Sequence, residues 1–261
     1  IVAVFGKRIW YVDATRPDDD GDATAWETAK KSIQAAVTEA TNGDLVLVAD
    51  GVYASIISDD KDIAIRSVHG AEATIIDGKG TERCAALGDY TSGFNTALNG
   101  FTLQNGKADN GGGALGGTLE NCILTGNTAQ YGGGASESIL NNCTLTGNSA
   151  NSGGASYRSI LNNCTLSRNS ANAGGGDVGS VLTNCVLTEN SANAAGGGAV
   201  DSDLENCTLS GNSAGAGGGG VNNSVLRNCT LTGNTAIQNG GGACESILNN
   251  CTLSENSAKN G

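Results

Sequence analysis

From Leu119 onward, apolar and polar positions recur in one fixed order: leucine, cysteine three places later, leucine two further on, then asparagine, as in Leu140-x-x-Cys143-x-Leu145-x-x-Asn148. The run LNNCTLTGNSA starts at Leu140, returns almost letter for letter at Leu161 and Leu248, and recurs with small changes at Leu119, Leu182, Leu204 and Leu226. Aligned copies form columns: Cys122, Cys143, Cys164, Cys185, Cys207, Cys229 and Cys251 in one, spaced first by 21 and then by 22, and Asn127, Asn148, Asn169, Asn190, Asn212, Asn234 and Asn256 in another. Repetition at a fixed period of this length marks a solenoid.

The segment Cys-Thr-Leu-Thr reads as a strand. Side chains alternate along a strand, so Cys143 and Leu145 are expected inside and Thr144 and Thr146 outside. A leucine-rich repeat also fits the spacing, but it should return through a helix or 3₁₀ turn, whereas here the return is NSGGASYRS or GAGGGGVNN. Glycine runs make poor helices and suit tight corners. Each repeat is therefore expected to form one coil of a parallel β-helix, an all-β solenoid of 21–22-residue coils. The Asn before each Cys (Asn121, Asn142, Asn163, Asn184, Asn206, Asn228, Asn250) falls where the chain must bend, and Asn tolerates left-handed backbone. Stacked at ~4.8 Å, these amides are expected to form a packed ladder along the axis.

The preceding sequence reads as a lid. Ile9 to Val12 is a short apolar strand, RPDDDGDAT an acidic loop, and Thr24-x-x-Glu27 a capping box opening a helix over about 24–41. Its apolar stripe is Trp26, Ala29, Ile33, Ala36, Val37 and Ala40, and Asn42-Gly43 stops it. Such a helix plugs the open end of the first coil. Leu45 to Val48 begins the first buried strand. Residues 1–53 thus form an N-terminal cap with its capping helix, 54–110 irregular coils, and 111–261 regular repeats. Phe101 and Leu103 already occupy the Cys and Leu positions.

Composition sharpens this picture. The chain has 261 residues, 41 of them Gly, with Pro17 the single proline and no Met, and a net charge of −12 argues against nucleic acid or an anionic membrane surface as partner. No run is long and apolar enough to span a membrane. Seven of the nine cysteines fall in one inward column, where strand spacing is wider than a disulfide prefers, so they are expected to be buried free thiols acting as small hydrophobes; Cys84 and Cys244 lie outside it.

SIQAAVTEATNGDLVLVADGVY, from Ser32 to Tyr53, resembles the amino-terminal cap of right-handed parallel β-helix proteins of the pectate-lyase-like superfamily. The units GGGA and LTGN resemble the GGA[ILV] and FxxN repeats of bacterial polymorphic outer membrane proteins, with Leu in place of Phe. The resemblance implies a right-handed coil and a secreted or cell-surface location, and binders and enzymes share the fold.

Enzymes of that superfamily imply clustered carboxylates on an exposed face. The candidates are Asp201 with Asp203, near Asp177 and Glu205, set against a solvated acidic patch. Another column reads Gly116, Glu137, Arg158, Gly179, Asp201, Asn223, Glu245, with Glu137 and Arg158 as an exposed cross-rung ion pair. In the acidic loop, Asp18, Asp20 and Asp22 beside Gly21 suit Ca²⁺, although a distal Glu is missing. The lone histidine, His69, is read as a surface residue. The aromatics of the repeats are Tyr131 and Tyr157. Outward pairs such as Thr144/Thr146 and Thr230/Thr232 form an array like that of ice-binding solenoids, broken at Ile123 and Val186. Five Asn-Cys-Thr triplets match a glycosylation sequon, and a packed Asn ladder would keep them unmodified.

The expected role is structural or adhesive, a rigid passenger or stalk that engages a polysaccharide or another cell-surface ligand. The alternative is a polysaccharide lyase or hydrolase acting on acidic glycans, and ice binding comes third. Because Ser257 to Gly261 reads as the start of another coil, continuation of the solenoid or end-to-end self-association is expected there.

Overall fold

The computed structural model describes residues 7–58, 61–88 and 96–260. The chain winds into a right-handed parallel β-helix, and each regular coil carries four short strands. In one coil these are Ala135–Ser136 (wall I), Ile139–Asn141 (wall II), Thr144–Thr146 (wall III) and Ser149–Ser152 (wall IV). Each pairs in parallel with its equivalent in the coils above and below. Among the described residues the walls hold nine, eleven, ten and eight strands.

The path turns wherever one residue adopts positive φ. In this coil those residues are Gly132 (63°), Glu137 (55°), Asn142 (54°) and Gly147 (64°), with Gly153 opening the next coil. Corners therefore come every five residues along walls I to III. Wall IV takes six residues from Gly147 to Gly153 and seven from Glu189 to Gly196, and it alone absorbs the change from the 21- to the 22-residue period. At Gly132 glycine is required twice over, because a Cβ there would lie 2.1 Å from the Ala135 carbonyl oxygen.

The residue after three of these corners turns inward and performs one task. Its backbone N–H has no strand partner and donates to the matching side chain of the next coil: Ser138 N–H to Ser159 Oγ (3.2 Å), Cys143 N–H to Cys164 Sγ (3.4 Å), Asn148 N–H to Asn169 Oδ1 (2.9 Å). An orphaned buried amide costs ~1–3 kcal/mol, so these ladders are structural requirements. The asparagines are fully used, since Asn148 Nδ2 donates to Asn169 Oδ1 (3.1 Å) and to the Leu124 carbonyl (2.9 Å). Two places further on sits the apolar filling. Leu140 and Leu145 are fully buried, and burying such a side chain contributes about 1.5–3 kcal/mol.

Two expectations change here. The buried Asn ladder is the Asn127 to Asn256 column; the pre-cysteine asparagines have the expected left-handed backbone but project at exposed corners, with axial bonds such as Asn250 Nδ2 to Asn228 Oδ1 (2.7 Å). Burial therefore does not protect the sequons. The cysteines are free, as expected, yet they are more than small hydrophobes: Cys143 Sγ donates to the Asn141 carbonyl (3.3 Å) while Cys164 Sγ accepts an amide. Hydrogen bonding with neighbouring thiols, and then burial, hold Cys143 and Cys185 well above the ordinary thiol range.

At the amino end, β1 (Ile9–Val12) is the first strand of wall II and pairs with Leu45–Val48. The single helix expected over 24–41 is two pieces: a 3₁₀ turn at Trp26–Thr28, then α1 (Ile33–Glu39), capped by Ser32, whose hydroxyl accepts the Ala35 N–H (3.2 Å). Thr24 does not cap, because its hydroxyl donates to Asp22 Oδ1 (2.8 Å). Residues 23–30 instead close the free edge of β1, with Tyr11 N donating to the Ala23 carbonyl and Lys30 N to the Tyr11 carbonyl, both at 3.0 Å. α1 buries Ile33, Ala36 and Val37, while Trp26 stays 38% exposed and meets the Tyr11 ring edge-on. Lys61 Nζ closes the other end of α1 by donating to the carbonyls of Val37, Thr38 and Ala40. None of the described helices is long and apolar enough to cross a membrane.

Candidate functional site

The four carboxylates grouped in the sequence lie on two sides of the backbone. Asp177 follows Ala135 and Ser156 in the inward column of wall I and is fully buried. The hydroxyls of Ser156 (2.5 Å), Ser180 (2.6 Å) and Ser202 (2.8 Å) donate to it, and burial raises its pKa to about 6 despite them. Ser202 reaches it from between Asp201 and Asp203, so the wall separates Asp177 from both. Asp201 sits at a left-handed corner, where Asn223 Nδ2 donates to it, and is outside the strand Asp203–Glu205; Asp203 and Glu205 share the outward side of that strand. The sequence thus placed together groups that the fold distributes over a core, a corner and a wall.

The acidic loop is equally dispersed. Asp22 Oδ1 accepts from Thr24 N, Thr24 Oγ1 and Thr28 Oγ1, and these bonds, Thr28's foremost, lower its pKa to about 2. Asp18 caps the Asp20 N–H, and Asp19 holds Ser32. Asp18, Asp20 and Asp22 therefore do not converge as calcium ligands, and no group of three or more His, Cys, Asp or Glu among the described residues could hold a metal. His69 is exposed, with Nδ1 2.8 Å from Asp50 Oδ1. On wall III the threonines face outward as expected. Within one column, however, hydroxyls bond along the axis, Ser167 to Thr146 (3.1 Å) and Ser210 to Thr188 (3.3 Å).

On wall IV concavity and polarity coincide. One cleft is lined by Ser149, Asn151, Ser170, Asn172, Ser191 and Asn193; the next continues from Ser191 and Asn193 to Thr235 and Ile237; a third lies at Thr81, Lys107 and Asp109, at the start of the same sheet. The local sequence explains the trough. In Asn-Ser-Ala-Asn, read as a strand, the first Asn enters the amide ladder, Ser and the second Asn face out, and the intervening Ala fills the wall with minimal bulk. The outcome is parallel rows of hydroxyls and amides with alanine as the floor. The run recurs at 148, 169 and 190, a signal open to inspection that the search for carboxylates passed over.

Beside the trough the two repeat-region tyrosines meet. Tyr131, on the strand Thr128–Tyr131, pairs in register with Ser152, the last residue of a trough strand. Tyr157 comes from wall I of the next coil. Their ring centroids are 5.1 Å apart at 46°. Arg158 does not pair with Glu137; its guanidinium lies 5.1 Å from the Tyr157 ring centroid.

No protein-family model matches the chain, and no curated protein matches it. Among solved structures it is similar to the pectate lyase Pel9A, with TM-score 0.53, 14% identity, and coverage of 98% of this chain and 79% of that one. It is also similar to XylC, solved in complex with xylose, with TM-score 0.55, 10% identity, and coverage of 90% and 68%. At such identities the likeness is one of fold, the pectate-lyase-like β-helix.

Proposed function

We propose that the protein is a secreted or cell-surface adhesive β-helix, a rigid non-catalytic solenoid that holds an extended polysaccharide along wall IV. The observation that carries this reading is the trough itself. A row of outward hydroxyls continues from Ser149 through Ser170, Ser191 and Ser213 to Thr235, a span of about 19 Å at ~4.8 Å per coil, and a row of amides runs beside it over Asn151, Asn172 and Asn193. That spacing is comparable to the advance of one sugar in an extended β-linked chain, so successive coils can present the same donors and acceptors to successive rings. The parallel strands fix the backbone register of these side chains, so it need not be ordered on binding. Affinity electrophoresis of the full chain through gels containing xylan, mannan, soluble cellulose or polygalacturonate tests it. Retardation by at least one polymer, weakened in Asn151→Ala/Asn172→Ala, is expected; unretarded migration in all of them defeats the reading.

The second reading, a polysaccharide lyase or hydrolase, draws on the likeness in fold to Pel9A. Release of reducing ends or unsaturated products from the same polymers, abolished in Asp201→Asn/Asp203→Asn, would favour it.

A further inference from the structure

We propose that Tyr131 and Tyr157 form the anchoring subsite of wall IV and that the glycan it takes is uncharged. This rests on the adhesive reading above and adds both the position of tightest contact and the chemistry of the ligand. The two tyrosines come from adjacent coils and approach over the glycine corner at Gly132. Tyr131 is 37% exposed and Tyr157 half-buried. Buried Tyr53 has its hydroxyl engaged, donating to the Ala49 carbonyl (2.8 Å) and accepting the Ala14 N–H (3.2 Å). The hydroxyls of Tyr131 and Tyr157 have no such partner within the described protein. An aromatic ring with an apolar face and a free polar tip is suited to a sugar, whose axial C–H groups stack on the face while its hydroxyls meet the tip.

A second observation points the same way. Ser136 is the strand partner of Tyr157, is 1% exposed, and its Oγ is the one buried side-chain polar atom among the described residues without a hydrogen-bond partner. A buried hydroxyl left unsatisfied is costly, and a ligand hydroxyl that displaces the Tyr157 ring slightly would satisfy it. The guanidinium over Tyr157 supplies further donors. The charge of the ligand follows from the surroundings: the trough cleft beside the pair is lined by Ser, Ala and Asn alone, Arg158 shares its corner column with Glu137, and the chain carries −12 overall. A polyanionic glycan would be repelled and would find no row of cations, whereas a neutral, hydroxyl-rich chain matches every group present.

Isothermal titration of the full chain with xylohexaose, mannohexaose and cellohexaose, and with hexagalacturonate as the charged comparison, tests this. At least one neutral hexasaccharide is expected to bind, with affinity about tenfold lower in Tyr131→Ala and in Tyr157→Ala, and lowered by a smaller factor in Tyr157→Phe, which keeps the ring and the fold but loses the polar tip. Asn172→Ala, in the trough away from the pair, should weaken binding independently. Undiminished affinity in both alanine variants, with loss in Asn172→Ala, overturns the subsite and leaves the trough; preference for hexagalacturonate overturns the neutral ligand; absence of binding by the native chain overturns the adhesive reading as well.

Discussion

Replacing Asp177 with Asn should stabilise the protein at neutral pH and leave it nearly unchanged in acid. The carboxyl lies fully buried, and burial raises its pKa from 3.8 to about 6. A carboxyl that binds its proton more tightly folded than unfolded favours the fold when protonated. Stability is therefore highest below about pH 4, falls as pH rises from 4 to 6, and levels off above. A shift of about two units corresponds to about 3 kcal/mol. Asparagine can take the same seat. Ser156 and Ser180 both donate to Oδ1, which the amide keeps. Ser202, now facing Nδ2, can accept from it and donate its own proton to the Val200 carbonyl, 2.7 Å away. Asp177→Asn should thus gain up to about 3 kcal/mol at pH 7.5, roughly 6–12 °C in Tm for a chain of this size. Urea or thermal unfolding of both proteins from pH 4 to 8 provides the check, read as the difference between the two curves so that other titrating groups cancel. A variant less stable than the native protein at pH 7.5, or a difference that does not change between pH 4 and 6, refutes the reasoning.

Breaking the buried amide ladder should be costly where touching the corner column is cheap. Asn169→Ala strips the acceptor from both Asn148 N–H and Nδ2 and should lose about 3–5 kcal/mol in urea unfolding, against about 1 kcal/mol for Asn163→Ala at an exposed corner. Denatured, unreduced protein should titrate with most of its nine cysteines free, whereas native protein reacts slowly with thiol reagents; three or more disulfides found by mass spectrometry would contradict the thiol ladder.

What could be read in the sequence follows from which features repeat. The Leu and Cys columns have period, alternation and residue type in common, so these two inward columns were legible. The four-cornered path was not, although corners fall every five residues along three of the four walls. The residues that share one corner are as unlike as Gly116, Glu137 and Arg158, because the requirement is on φ and several residue types meet it at modest cost. In the sequence Asp177 reads as a surface group, because its charge outweighs its alignment with Ala135 and Ser156. Thr24 was read as a helix cap because nothing in a linear pattern reveals that Asp22 takes its hydroxyl. Tyr131 and Tyr157 differ by one coil plus one wall, so only the wound chain brings their rings together.

The interior ladders and the outer trough are products of one constraint. Each coil must satisfy the amide left over at three of its corners, and it does so with a side chain of the next coil, which locks neighbouring coils into register. On wall IV that locking residue is the first Asn of Asn-Ser-Ala-Asn, so the Ser and Asn one and three places along inherit the same register on the outside. A row of outward hydroxyls and amides on wall IV is thus fixed by the buried ladder beneath it. Were a coil to slip, both would be lost together, because the period-two alternation that puts one Asn inside puts its neighbours out. The stability of the solenoid and the regularity of its proposed binding surface therefore cannot be tuned apart, and the freedom to vary a ligand lies at positions outside the ladder, such as Tyr131 and Tyr157.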